Sequence, residues 1–145
     1  MKEVFGNIWD YPADYVVITT NGDVRRDGAA VMGRGVALQA KSNFPGMEYL
    51  LGKALQLFGS HVRYLESGRG VIVMFPVKHH WREKADLALI AQSAVELTVL
   101  AMLHPDKTFV LPRPGCGNGG LTWKQVKPII ESVLPDNVHV ITLEE

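Results

Sequence analysis

Three short stretches of this chain carry residue types that could do chemistry. The longest is Leu111-Pro112-Arg113-Pro114-Gly115-Cys116-Gly117-Asn118-Gly119-Gly120-Leu121. Proline stiffens a chain and removes a donor, whereas glycine admits positive φ and lets another group approach the backbone closely. Set between a strand-like run, Thr108-Phe109-Val110, and a helix-like segment, such a loop presents free N–H groups to an anion. A pyrophosphate is the expected occupant. The second stretch, Met32-Gly33-Arg34-Gly35, also opens onto a helical pattern, so the same argument applies twice. The third, Pro76-Val77-Lys78-His79-His80-Trp81-Arg82, ends an apolar run and concentrates polar side chains there.

Neither glycine loop has the Gly-Lys-Ser/Thr ending of a Walker A site, and Leu38 stands where a dinucleotide fingerprint needs glycine. Cys116 lies among N–H groups that can depress a thiol pKa, but no general base accompanies it, so a nucleophilic role is not expected. His79 and His80 lack the further partners that a metal site needs. They read as loop residues, Trp81 as a packing residue, and Arg82 and Lys84 as solvated charges or backbone-phosphate contacts. Asn118 reads as a loop-shaping residue.

The elements that must position these stretches alternate along the chain. Tyr15 to Thr20 is β-branched at nearly every position without polar alternation, which predicts a central strand buried on both faces. It ends at Asn21-Gly22, and in open α/β sheets ligands collect at strand carboxyl ends. Helices are expected from Val36 to Phe44 and from Met47 to Phe58, the latter closed by Gly59. Val62 to Leu65 and Val71 to Phe75 predict a hairpin around the loop Glu66 to Gly70. Asp86 is the expected N-cap of a long helix through Leu103. Thr122 and Gln125 match a capping box, with Pro128 one turn further on expected to disturb that helix. Val4-Phe5 and Val138 to Leu143 read as outer strands. The fold class is therefore α/β, a three-layer α/β/α domain with a mixed, largely parallel central sheet.

Composition narrows the function classes. At 145 residues the chain is expected to form one domain, residues 1–145. Fifteen basic side chains balance fifteen acidic ones, so no whole-molecule field draws it to nucleic acid or membrane, although Arg25, Arg26, Arg34 and Arg82 can form a local patch. A single cysteine excludes an internal disulfide and a multi-cysteine metal site. No apolar run has membrane-spanning length and no signal-type segment opens the chain. A cytoplasmic, monomeric protein with no membrane partner is expected.

Taken in order, Val31 to Gln39, Phe75 to Arg82 and Gly115 to Leu121 resemble the macrodomain superfamily, whose members bind ADP-ribose. The resemblance runs from Gly6 to the last strand. It points to the branch that removes ADP-ribose from DNA bases, with the terminal ADP-ribose protein glycohydrolases more distant within it. It implies that Asn7 and Ile8 lie on the adenine side, with Asn7 where an Asp often stands. It implies that Met32, Gly33, Arg34 and Gly35 form a first phosphate loop. Pro114, Gly115, Cys116, Gly117, Asn118, Gly119 and Gly120 would form the second, and Asn21 would lie near the distal ribose. Lys78 matches a lysine placed beside the anomeric carbon of that ribose, where it can act as nucleophile or stabilise charge. The terminal-glycohydrolase members put an Asp at the position of Gly119, so here the chemistry falls on Lys78. The implied function is an ADP-ribosyl glycohydrolase acting on a modified nucleic acid or protein, with no cofactor and no metal. A non-catalytic ADP-ribose reader and an ADP-ribose 1″-phosphate phosphatase stay open beside it.

Overall fold

The computed structural model describes residues 1–143. Six strands form one sheet: β1 (Lys2–Phe5), β2 (Tyr15–Thr20), β3 (Arg63–Ser67), β4 (Gly70–Pro76), β5 (Phe109–Pro112) and β6 (Val138–Thr142). Four helices connect them: α1 (Gly35–Asn43), α2 (Met47–Phe58), α3 (Leu87–Leu103) and α4 (Trp123–Glu131). The strand order is β1-β6-β5-β2-β4-β3, and every neighbouring pair is parallel except the β3–β4 hairpin.

The unbroken apolar character of β2 has its expected cause. Val17 and Ile18 are both fully buried but point into different cores, because side chains alternate across a sheet. Val17, Val73, Phe75, Phe109 and Leu111 pack with Ile90, Ala94 and Leu97 of α3 and Val126 and Ile130 of α4. On the other face, Ile18, Ile72 and Met74 pack with Ala40 of α1 and Met47, Leu51 and Leu55 of α2. Two cores separated by a sheet make the three layers.

Local signals set most boundaries. The Asp86 carboxylate accepts from the Ala88 N–H at 2.9 Å and starts α3. Both bonds of the Thr122–Gln125 capping box are present at the start of α4. Pro128 does not interrupt α4, contrary to expectation. Pro128 and Lys124, the residue whose carbonyl it deprives of a donor, are both exposed, so solvent can replace the bond. The β3–β4 strands run closer together than the loop composition predicts. Ser67 pairs with Gly70, leaving only Gly68 and Arg69 in the turn. No helix among the described residues is long and apolar enough to cross a membrane.

Sheet order, more than any single element, creates the site. The connection leaving β2 leads towards β4 and β3, whereas the one leaving β5 leads towards β6. The β2–β5 boundary is therefore the topological switch point, where diverging connections leave a crevice outside the carboxyl ends of the strands.

Candidate functional site

That crevice is a hollow of about 620 Å³, within the range of pockets that bury a small ligand. Thr19, Thr20 and Asn21 reach it from the end of β2, Val77 and Lys78 from the end of β4, and Pro112 and Arg113 from the end of β5. The two glycine loops close it. Gly33, Arg34 and Gly35 form one wall, and Gly115, Cys116, Gly117, Asn118 and Gly119 form the other. Arg25, Arg34, Lys78 and Arg113 all line the hollow, and among the described residues no Asp or Glu does. In a chain whose total charge balances, such segregation favours an anionic ligand.

Helix α1 adds partial charge of the same sign. α3 and α4 satisfy N-terminal N–H groups with side-chain caps, whereas Arg34, the N-cap of α1, makes no such bond. Val36 and Ala37, in the first turn of α1, line the hollow. Uncapped N–H groups and the positive end of the helix dipole thus meet the cavity. The opposite loop ends in a 3₁₀ turn, Gly117–Gly119, so a ligand there meets mostly backbone. The two loops also meet each other, since a Cβ at Gly35 would stand 3.3 Å from the Asn118 amide nitrogen.

Lys78 bridges the loop after β4 to this second loop. Its Nζ donates to the Asn118 carbonyl at 3.1 Å and to the Trp81 carbonyl at 3.4 Å. The loop carrying it is pinned to the end of β2. A Cβ at Gly22 would stand 2.6 Å from the His79 carbonyl oxygen, so the two loops pack together only because that position is glycine. The next residue, Asp23, accepts from the Trp81 N–H at 2.7 Å and bonds His80 Nδ1 at 3.0 Å. Asn21 secures the base of the same arrangement, donating to the Val31 carbonyl and accepting from the Asp23 N–H, each at 3.0 Å.

These contacts move proton affinities in defined directions. Burial alone would raise the Asp23 carboxyl, but the hydrogen bonds from Trp81 and His80 outweigh it and hold that carboxyl below its usual range. The Asp23 hydrogen bond, followed by the field of Glu83, raises His80. The folded His80 value being the higher one, its contribution to the clamp is complete below the ordinary histidine value of about 6.5 and fades as pH rises through the raised value. Asp23 has the opposite sign, and its contribution is lost as pH falls through the lowered carboxyl value. In an NMR titration, His80 is expected to titrate above an ordinary histidine. Asp23→Asn should move it most of the way back, with Glu83 holding the remainder. An unchanged titration in the variant would show that the pair does not form.

Several sequence expectations change here. Burial, only partly offset by Arg113, pushes the Cys116 thiol up rather than down. Its neighbours withdraw water from the sulfur, which donates to the Pro114 carbonyl at 3.7 Å. Cys116→Ala is accordingly expected to keep turnover within about threefold of wild type, and the native thiol should alkylate more slowly than an unfolded one. Trp81 does not pack inside; the residue is 44% exposed and lines the hollow. His79 and His80 are loop residues as expected, and each is anchored, His79 by Asp86 at 2.8 Å and His80 by Asp23. Among the described residues, no three His, Cys, Asp or Glu side chains converge as metal ligands would.

Of the residues singled out by sequence, Asn21, Gly33, Arg34, Gly35, Lys78, Gly115, Cys116, Gly117, Asn118 and Gly119 meet at the hollow. Gly120 lines a smaller adjoining one. Met32 and Pro114 are buried behind the loops that contain them. Asn7 and Ile8 do not line the hollow. The Asn7 side-chain amide oxygen accepts from the Trp9 N–H at 2.9 Å, and Ile8 is buried with Val110 and Ile141, with Val36 packed against that cluster. Arg113 was missed as a site residue although it lies within the opening stretch. It sits 4.6 Å over the Trp123 ring and 3.9 Å from Glu3, partners that no local pattern announces.

A largely parallel sheet with glycine loops and a cation-lined hollow at its switch point defines an α/β domain with a ligand-sized crevice. No protein-family model matches the chain. It is similar to the DNA ADP-ribosyl glycohydrolase of Thermus aquaticus, at 30% identity over 141 residues, which is 92% of this chain. The chain spans only 38% of that relative's length. Among solved structures, the macrodomain of Thermus aquaticus DarG is 30% identical with a TM-score of 0.79, covering 99% of this chain and 97% of that one. Thermosipho africanus DarTG in complex with ADP-ribose shares the fold at 22% identity and a TM-score of 0.79, over 99% of this chain and 42% of that one. The chain belongs to the macrodomain family.

Proposed function

We propose that the chain is an ADP-ribosyl glycohydrolase that releases ADP-ribose from modified DNA. The observation that carries this reading is the place of Lys78, which stands where the two glycine loops meet in a hollow lined by cations and, among the described residues, by no carboxylate. The diphosphate lies between the first turn of α1 and the glycine turn, the distal ribose reaches Lys78, and the adenosine extends towards the Asn7–Ile8 side. The names of the Thermus aquaticus and mycobacterial relatives, each a DNA ADP-ribosyl glycohydrolase, support the reaction and the acceptor.

The bond to be broken joins the anomeric carbon of the distal ribose to its acceptor. Most glycosidases use two carboxylates, one as acid and one as base or nucleophile. Among the described residues none lines this hollow, and the Lys78 amine takes that role. The Lys78 amine adds to the anomeric carbon as the acceptor departs with one amine proton; the ring C–O bond then opens, the second amine proton passing to the ring oxygen, and the opened sugar is held as an imine. Water then adds to the imine carbon and expels the amine, returning Lys78 and free ADP-ribose. Carbonyl bonds from two loops fix the nitrogen before reaction, which reduces the entropic cost of reaching the carbon.

The deciding experiment offers ADP-ribosylated DNA, ADP-ribosylated protein and ADP-ribose 1″-phosphate side by side. Release from the DNA is the expected result. Release from none of them, with free ADP-ribose still bound, would make the chain a reader instead.

A further inference from the structure

A second hollow, of about 350 Å³, adjoins the first and shares Arg34, Lys78, Trp81, Asn118 and Gly119 with it. Its own walls are Arg82, Glu83, Lys84 and Gly120. Resting on the glycohydrolase reading above, we propose that this hollow is the acceptor subsite, where Trp81 stacks on the base that carries ADP-ribose and Arg82 and Lys84 hold the phosphates of the same single strand.

Geometry sets the division of labour. If the breaking bond lies at Lys78, the larger hollow contains the ADP-ribose and whatever is attached must leave through the space on the other side of that nitrogen. The smaller hollow occupies that space. Trp81 is common to both hollows and half exposed, and the Arg82 guanidinium lies 4.8 Å over its ring. One indole face is thereby covered by a cation, leaving the other for a planar partner. The Lys84 stem crosses the second glycine loop, since a Cβ at Gly120 would stand 3.3 Å from Lys84 Cγ. The ammonium is thus carried on a stem packed against the loop.

Four cations, Arg34, Lys78, Arg82 and Lys84, face one carboxylate, Glu83. An aromatic face flanked by cations suits a base between two phosphodiesters, the pattern by which proteins hold single strands. A duplex would keep the modified base stacked and out of reach of Lys78. A peptide acceptor offers neither feature as a rule, and its backbone would find few uncharged partners on these walls. The loop from Trp81 to Lys84 is tied down at both ends, by Asp23 on the Trp81 N–H and by the Gly119 carbonyl on the Ala85 N–H at 2.8 Å. The subsite is therefore in place before a strand arrives.

Equilibrium binding to the whole chain tests this without requiring turnover. The probes are ADP-ribose, an ADP-ribosyl nucleoside, an ADP-ribosylated single-stranded DNA pentanucleotide and an ADP-ribosylated peptide, the last three joined through a carbon linkage that cannot be hydrolysed. The pentanucleotide is expected to bind about tenfold more tightly than the nucleoside at low salt. That advantage should decline with salt at a log–log slope of about −1.4, the value for two phosphate contacts on a single strand. The double variant Arg82→Gln/Lys84→Gln should erase both the advantage and the slope while still binding ADP-ribose. Trp81→Ala should reduce nucleoside affinity relative to ADP-ribose, and Trp81→Phe should restore it. Equal binding of nucleoside and pentanucleotide, or tighter binding of the peptide, overturns the acceptor subsite. Failure to bind ADP-ribose would instead overturn the reading of the larger hollow.

Discussion

Lys78→Ala is expected to slow release of ADP-ribose by about a hundredfold or more while free ADP-ribose still binds. The expectation follows from what surrounds the nitrogen. Its two hydrogen bonds go to backbone carbonyls, so removing the side chain leaves no buried charge unpaired and no helix without a cap. The anion seat stays intact, built as it is from the start of α1, the glycine turn and three arginines. A loss confined to turnover would therefore report on chemistry. Lys78→Arg separates the roles further. It preserves charge but supplies no usable nucleophile, because a guanidinium is not deprotonated in proteins. If Lys78 forms an imine, Lys78→Arg is as slow as Lys78→Ala, and borohydride reduction during turnover fixes ADP-ribose to the wild-type chain alone. An arginine variant with wild-type rates would leave Lys78 a charge-stabilising role only.

The second large effect concerns Gly115, at the entrance to the second loop. Its φ is +74°, in the left-handed region, and a Cβ there would stand 2.7 Å from Ile90 Cδ1 and 3.0 Å from both Ala85 Cβ and Leu121 Cδ1. Two penalties combine at one atom. The left-handed backbone costs a side-chain-bearing residue about 1–2 kcal/mol, and forcing a methyl group into packed surroundings costs about 1–3 kcal/mol more. Gly115→Ala is expected to lose about 2–5 kcal/mol of stability, read as a lower urea midpoint at unchanged slope, and to weaken ADP-ribose binding. Gly119→Ala is the matched control. Its φ lies outside the left-handed region, and its Cβ would approach only Ala85 Cβ, at 3.1 Å, so a smaller loss is expected. Equal stability of the two variants would show that the Gly115 conformation is not constrained as described. A side chain at Gly119 would press on Ala85, which would have to give by a few tenths of an ångström.

Much of this protein is legible in the amino-acid order because its signals act locally. Asp86 and Thr122 mark helix starts through bonds to N–H groups two and three residues on. The glycine loops declare themselves because φ preference and missing side chains are properties of single residues. Runs such as Tyr15 to Thr20 reveal a doubly covered strand because burial on both faces removes polar alternation. The resemblance to macrodomains rests on these same stretches, which is why it pointed to the right fold.

Tertiary structure alone decided what those loops enclose. Pairing of β2 between β4 and β5 places three strand ends side by side, although β2 and β5 are far apart in the chain. Only then do Arg25 and Arg113 share a cavity with Lys78, while Trp81 turns outward because Asp23 holds its N–H from 58 residues away. Met32, Pro114 and Ile8 moved the other way, into or behind the core, because their apolar surface gains more from burial than from lining a polar cavity. Residue order determined the elements, their caps and the two glycine loops, since each depends on a few consecutive residues. The strand order determined the cavity, its charge and its second hollow, since each depends on contacts between segments with no shared local pattern.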